Sequence, residues 1–371
     1  MESRSITREM ATDIIGTAED QASNLPLPRL RVLAVIPGKE KTSSMIFARR
    51  QLKSLRTLNV VSHAFFLNAG TSPRLLLKRW LDLRRRIASL KPDLIHAHYG
   101  TITAFLCALA TTRIPLIITF RGSDLNYRRD VGFLRSHGTH LLSQLASLRA
   151  SAIVCVSRRL QSRLWWRKDV SVVLPTGVNL DVFRPMPKRQ AREHLGYQSD
   201  RHIVLFSQGN SPRNKGRALA LAGVQDAERT LGPIQLVILD GRVPPDQVPV
   251  FINAADCVVL ASEVEGSPNI VKEALACNVP VVAVDVGDVP ERLRGVFPSK
   301  IVHRDAVQMG SALAEILACG KRSNGRDCVT PCSDTQIAKS IRDLDDRVLL
   351  NNGARACIKG CSRSDLSALG G

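Results

Sequence analysis

Residues 256–287 read DCVVLASEVEGSPNIVKEALACNVPVVAVDVG, and this stretch decides the fold. It holds an apolar β-branched run, a polar loop, a segment whose apolar residues have helical spacing, and a second β-branched run. Strands that alternate with helices in this way form right-handed βαβ units and a parallel sheet. Open parallel sheets bind ligands at the carboxyl ends of their strands. The loop before the helix is therefore the first place to seek a functional site.

The same alternation extends along most of the chain. It breaks at residues 184–200, where Pro185 and Pro187 stand beside a charge cluster. We therefore predict an α/β protein with two doubly wound parallel-sheet domains joined near residue 187. The predicted divisions are a mobile leader at 1–28, an N-terminal domain at 29–187, a C-terminal domain at 188–335, a final helix at 336–350 and a tail at 351–371.

The charge of the chain points to anionic partners. Among its 371 residues, basic side chains exceed acidic ones by a formal +19. Nucleic acid, an anionic membrane surface and phosphorylated substrates all fit that balance. Aromatic residues make up only 4%, which argues against the base-stacking platforms of single-strand binders.

The cysteines are interpreted as ordinary thiols of a reducing compartment, because most lie in apolar runs. The alternative is zinc at two C-x3-C pairs, Cys328 with Cys332 and Cys357 with Cys361. Structural zinc more often uses C-x2-C, so no metal is predicted. The first residues lack the apolar core of a secretory signal, and no apolar run is clean enough to span a bilayer. A cytoplasmic location is expected.

The loop and helix at 265–273, EGSPNIVKE, predict an anion site. Ser267 suits a helix cap and Pro268 suits the first helical position. The free N–H groups at such a helix start bind phosphate. Glu265 would lie in the loop at the sheet edge, and Glu273 would accept hydrogen bonds from a ribose diol beside the helix. The alternative is a loop-capping Glu265 and a solvated Glu273.

Further candidates lie at the ends of other strands. The loop GNSPRNKG places Arg213 and Lys215 where cations would stabilise two phosphates of a leaving group, unless the loop is merely solvated. In HAHYG, His96 and His98 are expected to face opposite ways. His98, nearer the strand end, is the cleft candidate, with a structural histidine as the alternative.

These motifs together resemble the retaining glycosyltransferases of family 4. The stretch from Glu265 to Glu273 looks like the family's Glu-x7-Glu signature. The segments KPDLIHAHYG, ITFRGSDL and VVLPTGVNLDVFRP look like landmarks of its N-terminal domain, and the resemblance covers roughly residues 30–350. It implies a GT-B fold, in which two Rossmann-like domains face an interdomain cleft.

The resemblance also implies an activity and roles for residues. The activity is transfer of a sugar, with retained anomeric configuration, from a nucleotide-diphosphate donor to a glycan or lipid-linked acceptor in surface polysaccharide biosynthesis. Glu265 would lie at the transferred sugar, Glu273 would bind the ribose and Lys215 the phosphate. The final helix would cross back to the first domain. The remaining implied donor-site residues are Gly266, Ser267, Pro268, Asn269 and Ile270.

Two positions depart from the family pattern. Asn210 stands where an arginine is usual, leaving Arg213 as the nearby substitute, and Arg121 stands where histidine is common. Arg121 becomes a candidate contact to phosphate or acceptor. These departures keep open a GT-B protein that binds a nucleotide sugar without transferring it, or that epimerises it. A nucleic-acid binder is disfavoured, because carboxylates at a phosphate-lined cleft would repel a polyanion.

Basic residues crowd the first domain, in KRWLDLRRR, YRRDVGFLRSHG and SRRLQSRLWWRK. Because a lipid-linked acceptor lies in a membrane, peripheral attachment to the inner face of an anionic plasma membrane is a hypothesis. Solvated helix faces are the alternative. Trp165 and Trp166 would insert at such a surface or else lie in the core. The expected co-substrate is a nucleotide sugar, and no cofactor is expected.

Overall fold

The structure is a computed structural model that describes residues 29–40, 45–68, 72–111, 113–127, 132–209 and 214–364, with side chains up to residue 353. The predicted leader at 1–28 lies outside these ranges, as do Asn210 and Arg213. Within the ranges, no helix combines the length and the apolar character needed to cross a membrane.

The first domain is a six-stranded parallel sheet in the order β2-β1-β3-β4-β5-β6. Helices pack on its faces, because its strands carry continuous apolar runs that need cover on both sides. The elements are β1 Leu30–Pro37, α1 Ile46–Arg56, β2 Val60–Leu67, α2 Pro73–Leu90, β3 Leu94–Ala97, α3 Thr101–Ala110, β4 Leu116–Phe120, α4 Phe133–Ser147, β5 Ala152–Cys155, α5 Arg158–Gln161 and β6 Ser171–Val173.

The second domain is a five-stranded parallel sheet in the order β11-β10-β9-β7-β8. Two parallel α/β sheets confirm the predicted fold class. The elements are α6 Lys188–Leu195, β7 His202–Ser207, α7 Arg217–Leu231, β8 Ile234–Leu239, α8 Val248–Ala254, β9 Cys257–Leu260, α9 Asn269–Ala276, β10 Val281–Val284, α10 Val289–Leu293, β11 Lys300–Val302, α11 Ala306–Cys319, α12 Gly325–Val329 and α13 Asp334–Ser364.

The last helix, α13, lies on the first domain. Its buried residues Ile337, Ile341 and Leu344 share a core cluster with strand residues of the first sheet such as Ile117 and Val154. The helix runs from Asp334 to Ser364, so the predicted helix end at 350 is wrong. Gly, Ser and Cys in the following stretch suggested a tail, but no proline interrupts the helical hydrogen bonds there.

The chain enters the core of the second domain before residue 187, where the boundary was predicted. Val178 and Phe183 are buried in the core of the second domain, and Val178 forms a bridge to Ser333. The prolines at 185 and 187 mark the entry to α6 rather than the change of domain, since Pro187 is the N-cap residue of that helix. The crossover between the domains thus follows β6 directly.

At the rim between the domains, Arg159 Nη1 lies 3.2 Å from Asp285 Oδ1, with the two side chains 50% and 57% exposed. Such a solvated pair contributes about 1 kcal/mol at most. We expect Arg159→Ala to lower the free energy of unfolding by no more than ~1 kcal/mol in urea denaturation. Arg189→Ala, which removes an exposed pair within α6, is the matched control. A several-fold larger loss would show that the rim pair holds the domains together.

Candidate functional site between the two domains

The site lies at the switch point of the second sheet. β7 and β9 are neighbours although β8 separates them in sequence, so the crossovers leave a crevice at their carboxyl ends. Lys215 follows β7 and Glu265 follows β9. Gly216 has φ +71°, and a Cβ on it would lie 1.9 Å from the Ala261 carbonyl oxygen. Glycine therefore lets the Lys215 loop reach the end of β9.

The two loops meet in an ion pair. Lys215 Nζ lies 2.5 Å from Glu265 Oε1, and the Ser262 hydroxyl donates to the same oxygen at 2.9 Å. The side chains of Lys215 and Glu265 are 31% and 16% exposed, so both remain open to the cleft. A phosphate that enters the cleft would share Lys215 with Glu265.

Gly266 brings this loop against the first domain. A Cβ on Gly266 would lie 2.0 Å from the Arg121 carbonyl oxygen, and one on Gly122 would lie 3.2 Å from Gly266 N. The Asn126 side chain also donates to the Glu265 carbonyl oxygen at 3.5 Å. The Glu265–Gly266 backbone is therefore a contact point of the two domains, and a side chain at 266 would separate them.

The helix after the loop begins at Asn269, with Pro268 as its N-cap residue. The prediction that Ser267 caps this helix and that Pro268 is its first residue is wrong. The Ser267 hydroxyl instead donates to Asp288 Oδ2 at 2.9 Å and accepts from Lys272 Nζ at 2.5 Å. As at the start of every α-helix, the first backbone N–H groups have no intrahelical acceptor, and here they face the loop.

Sequence reasoning missed Lys272, whose side chain is fully buried. Its Nζ also donates to the Ser267 carbonyl oxygen at 3.2 Å. Burial lowers the pKa of Lys272, while the nearby Asp288 opposes that shift. Burial likewise raises the pKa of Asp288. From inside the protein, Lys272 thus holds the loop in place through Ser267. The sequence signal that could have indicated a buried lysine is its position within the apolar run NIVKEAL.

Glu273 faces the gap between the domains. Its Oε1 lies 3.7 Å from Nη1 of Arg50, which belongs to α1 of the first domain. Burial raises the pKa of Glu273, and the Arg50 guanidinium is the strongest opposing influence. The carboxylate is 14% exposed, so the side chain is not the solvated surface residue of the alternative interpretation.

Arg121 lies in the cleft wall of the first domain. Its Nη2 donates to His98 Nδ1 at 3.1 Å and to Gln51 Oε1 at 3.3 Å, and its guanidinium stacks over Phe47 at 4.3 Å. Burial lowers the pKa of Arg121 to about 10, with Asp124 opposing, so it stays charged at neutral pH. Arg121 Nε has no hydrogen-bond partner within the described ranges.

His98 lies behind Arg121 and is fully buried. Burial, with His96 and Arg121 adding to it, holds the pKa of His98 well below its usual value, so the ring is neutral. Because Nδ1 accepts from Arg121, the proton lies on Nε2, which has no hydrogen-bond partner in the described part of the chain. The structure therefore places His98 as a support for Arg121 rather than on the cleft surface.

The prediction that His96 and His98 face opposite ways is wrong. Their rings stack with centroids 4.2 Å apart. Residues two apart in an extended chain point to the same side, which the sequence argument misapplied. His96 donates to or accepts from Thr119 Oγ1 at 2.7 Å, and its burial lowers its pKa to about 3.

One cleft of about 380 Å³ brings together most of the predicted residues from both domains. His98 and Gly266 lie behind its surface. The remaining predicted residue, Arg213, lies outside the described residues. Sequence reasoning missed Phe47, Thr176 and Ser207. The full lining is Phe47, Arg121, Thr176, Ser207, Lys215, Glu265, Ser267, Pro268, Asn269, Ile270 and Glu273.

The cysteines of the first C-x3-C pair do not form a metal centre with other ligands. Cys332 Sγ is hydrogen-bonded to Arg292 Nη1, and Cys328 is half-buried. Across the described ranges, no three His, Cys, Asp or Glu side chains converge as metal ligands do. The side chains of Cys357 and Cys361 are outside the described part.

The comparisons with known proteins agree with this arrangement. Residues 42–182 match the model of Glycosyltransferase Family 4, and residues 197–320 match that of Glycosyl transferases group 1. A Bacillus subtilis protein, TuaC, whose name assigns it to teichuronic acid biosynthesis as a glycosyltransferase, is 33% identical over 239 residues. That match covers 57% of this chain and 60% of the relative, so the chain spans about three fifths of its length.

Solved structures share the fold. Sucrose-phosphate synthase from Thermosynechococcus elongatus aligns with a TM-score of 0.68 at 17% identity, over 87% of this chain and 100% of that one. Anabaena HepE, solved in complex with UDP and glucose, aligns with a TM-score of 0.65 at 16% identity, over 85% of this chain and 98% of that one. Two parallel-sheet domains around a shared cleft define the GT-B class. Within that class, the match of the first domain to the family 4 model, the group 1 match of the second domain and the similarity to TuaC support a glycosyltransferase of family 4.

Proposed function

We propose that this protein transfers a sugar from a nucleotide-diphosphate donor to a glycan or lipid-linked acceptor, with retained anomeric configuration, in surface polysaccharide biosynthesis. The observation that carries the proposal is that Lys215, Glu265, Glu273 and the start of α9 line one interdomain cleft. TuaC, whose name places it in teichuronic acid biosynthesis, supports the polysaccharide role. HepE, which binds UDP and glucose, supports the donor class.

The chemistry of the cleft suits a departing diphosphate. When the bond to the anomeric carbon breaks, negative charge develops on the leaving oxygen and the sugar gains oxocarbenium character. Lys215 and the free N–H groups of α9 are cationic or dipolar donors that stabilise such a leaving group. Arg121 adds a charged group on the opposite wall. These groups belong to the chain itself, and we propose that no metal cofactor is needed.

The two glutamates have complementary parts. Glu265 would accept hydrogen bonds from hydroxyl groups of the transferred sugar, and the carboxylate would offset positive charge that develops on the ring. Glu273, farther along α9, would accept from the ribose diol. In the Lys215–Glu265 pair, each side chain compensates the charge of the other.

A thermal-shift panel of UDP-, GDP- and ADP-sugars in the presence of EDTA tests the donor site. We expect one nucleotide class to raise the unfolding temperature, since a ligand at 100 times its Kd stabilises the folded state by about 2.7 kcal/mol. The absence of any shift at millimolar nucleotide sugar, with and without divalent metal, would contradict the donor site.

The stabilising donor is then incubated with acceptor, and the anomeric configuration of the product is read by NMR. A product with the donor's configuration supports retaining transfer. A donor that changes configuration without an acceptor would identify an epimerase, and a donor that binds but is never consumed would identify a binding protein.

A further inference from the structure

Another pocket lies between the two domains, beside the cleft described above. Its volume is about 540 Å³, which is in the range of sites that hold small molecules. The first domain contributes residues that follow β5, and the second domain contributes residues that follow β10. We call it the arginine pocket, because the charged side chains that line it are Arg158, Arg159, Arg292, Arg294, Asp285 and Glu291.

Two of the four arginines are already paired. Arg159 Nη1 donates to the Asp285 carbonyl oxygen at 2.9 Å and to its Oδ1 at 3.2 Å. Arg292 Nε lies 3.4 Å from Asp288 Oδ2. Arg158 and Arg294 are exposed, and within the described ranges their side chains have no ion-pair or hydrogen-bond partner. Two guanidinium groups, one from each domain, therefore remain available to a ligand.

The type of cation narrows the ligand. The pocket is lined by arginines and by no lysine. A guanidinium presents a planar fork of N–H donors that matches two oxygens of one carboxylate or phosphate, whereas an ammonium group acts as a point charge. Because Arg158 and Arg294 belong to opposite domains, an anionic group between them would be held from both walls. The chemistry of the pocket thus fits a carboxylate or a phosphate group.

The order of the strands places this pocket next to the transferred sugar. In the second sheet, β10 lies beside β9 and β9 lies beside β7. In the proposed reaction, Lys215 after β7 meets the leaving diphosphate and Glu265 after β9 meets the sugar. The end of β10 is the next position along this edge, on the side of the sugar that faces away from the diphosphate. In the first sheet, β5 is likewise the neighbour of β4, after which Arg121 follows.

The arginine pocket also contacts the loop between β9 and α9. Gly287 has φ +57°, and a Cβ on it would lie 2.6 Å from the Gly266 carbonyl oxygen. Glycine therefore lets the two loops touch. Asp288, which pairs with Arg292, accepts a hydrogen bond from the Ser267 hydroxyl at 2.9 Å. The arginine pocket and the donor cleft thus lie on two sides of one loop.

We propose that the arginine pocket binds a carboxylate or phosphate group of the acceptor. The inference rests on the proposed transfer reaction, since it gives a chemical class to the acceptor of that reaction. An acceptor must bring a hydroxyl group to the anomeric carbon of the sugar, so part of it occupies the space beside Glu265. A glycan with an acidic sugar and a lipid-linked acceptor with a phosphate share the anionic chemistry.

Binding of small anions tests the pocket without any turnover. In thermal shift at constant ionic strength, we expect inorganic phosphate or glucuronate to raise the unfolding temperature of the full chain more than chloride does. Arg158→Gln with Arg294→Gln should weaken that binding about fivefold per charge, roughly 25-fold together, as for solvent-exposed ion pairs. Lys215 is intact in this variant, so phosphate in the donor cleft is unaffected. Arg189→Gln with Arg229→Gln, at exposed positions of the second domain, is the matched control and should leave binding unchanged.

Matched saccharides test the assignment to the acceptor. The donor identified by thermal shift is incubated with methyl glucoside, methyl glucuronide or methyl glucoside 6-phosphate. We expect kcat/KM to be higher for at least one anionic acceptor than for the neutral one. Arg158→Gln with Arg294→Gln should remove this preference by raising KM, while donor affinity stays the same. Preference for the uronide indicates an acidic glycan, and preference for the phosphate indicates a lipid-linked phosphate.

Two results would overturn the proposal while leaving the donor site in place. The first is an anion effect that is absent, or that the arginine and control variants lower equally. The second is no advantage in kcat/KM for either anionic acceptor, including no transfer to any of the three. Failure of the proposed function looks different. Phosphate would still bind in a way that depends on Arg158 and Arg294, but no nucleotide sugar would raise the unfolding temperature. That result would overturn the acceptor assignment together with the transfer reaction.

Discussion

Lys215→Ala should lower turnover by about two to three orders of magnitude while the fold remains intact. Lys215 is the cation that the second domain holds at the carboxyl end of β7, where its Nζ already meets Glu265 at 2.5 Å. A preorganised charge that faces the developing negative charge of a leaving group acts in the transition state and therefore on kcat. Steady-state kinetics with the donor identified by thermal shift would measure the loss.

The stability of the variant should change little. The Lys215 side chain is 31% exposed, and partly solvated pairs contribute about 1 kcal/mol or less. Lys339→Ala, at an exposed position on α13, is the matched control and should keep full turnover. Lys215→Arg should recover part of the rate because it restores a positive charge. Unchanged turnover in Lys215→Ala would remove Lys215 from the leaving-group site.

Local pattern was enough to predict the fold class. The β-branched runs at 202–207, 257–260 and 281–284 all became buried strands, because parallel strands covered on both faces read as continuous apolar segments. The strand at 300–302 was missed. It spans three residues at the sheet edge, and its middle residue, Ile301, is 42% exposed, so it carries little periodic signal.

The candidate site was predictable where residues lie close in sequence and less so where it depends on tertiary approach. The loop and helix around Glu265 and Glu273 follow from one βα unit. The approach of Arg50 to Glu273, by contrast, requires α1 of the other domain to face this helix. The spacing of residues within one segment of sequence cannot indicate a contact between two domains. The same holds for Arg121 over Phe47, since the two residues follow different strands.

Burial decided the roles that the sequence left open. His98 was a cleft candidate because it stands near a strand end, yet Arg121 covers it and its ring is neutral. Lys272 was not a candidate, yet its side chain is fully buried and donates to the Ser267 hydroxyl and carbonyl oxygens. Helix α4 shows the reverse case, because its polar residues point inward and its leucines outward. Amphipathic pattern predicts a helix, but tertiary partners choose which face is buried.

Glu273→Ala should weaken the binding of the nucleoside diphosphate by about 1.5–3 kcal/mol, roughly 10- to 150-fold in Kd, because hydrogen bonds to a charged group contribute that much. The reason is that the carboxylate faces the cleft and is only 14% exposed, so the ribose hydroxyls would meet an acceptor partly shielded from water. Isothermal titration calorimetry with the nucleoside diphosphate measures the change. Glu193→Ala, an exposed acid on α6, is the matched control.

A second variant separates ribose binding from a supporting role. Glu273 lies 3.7 Å from Arg50, so its loss also frees that guanidinium in the cleft. If Glu273 acts only by holding Arg50, Arg50→Ala alone should weaken the nucleotide as much, and the double variant no further. If Glu273 binds the ribose directly, Arg50→Ala should have a smaller effect, and the loss from Glu273→Ala should persist in the Arg50→Ala background. Unaltered nucleotide affinity in Glu273→Ala would exclude either role, because both require this carboxylate at the donor site.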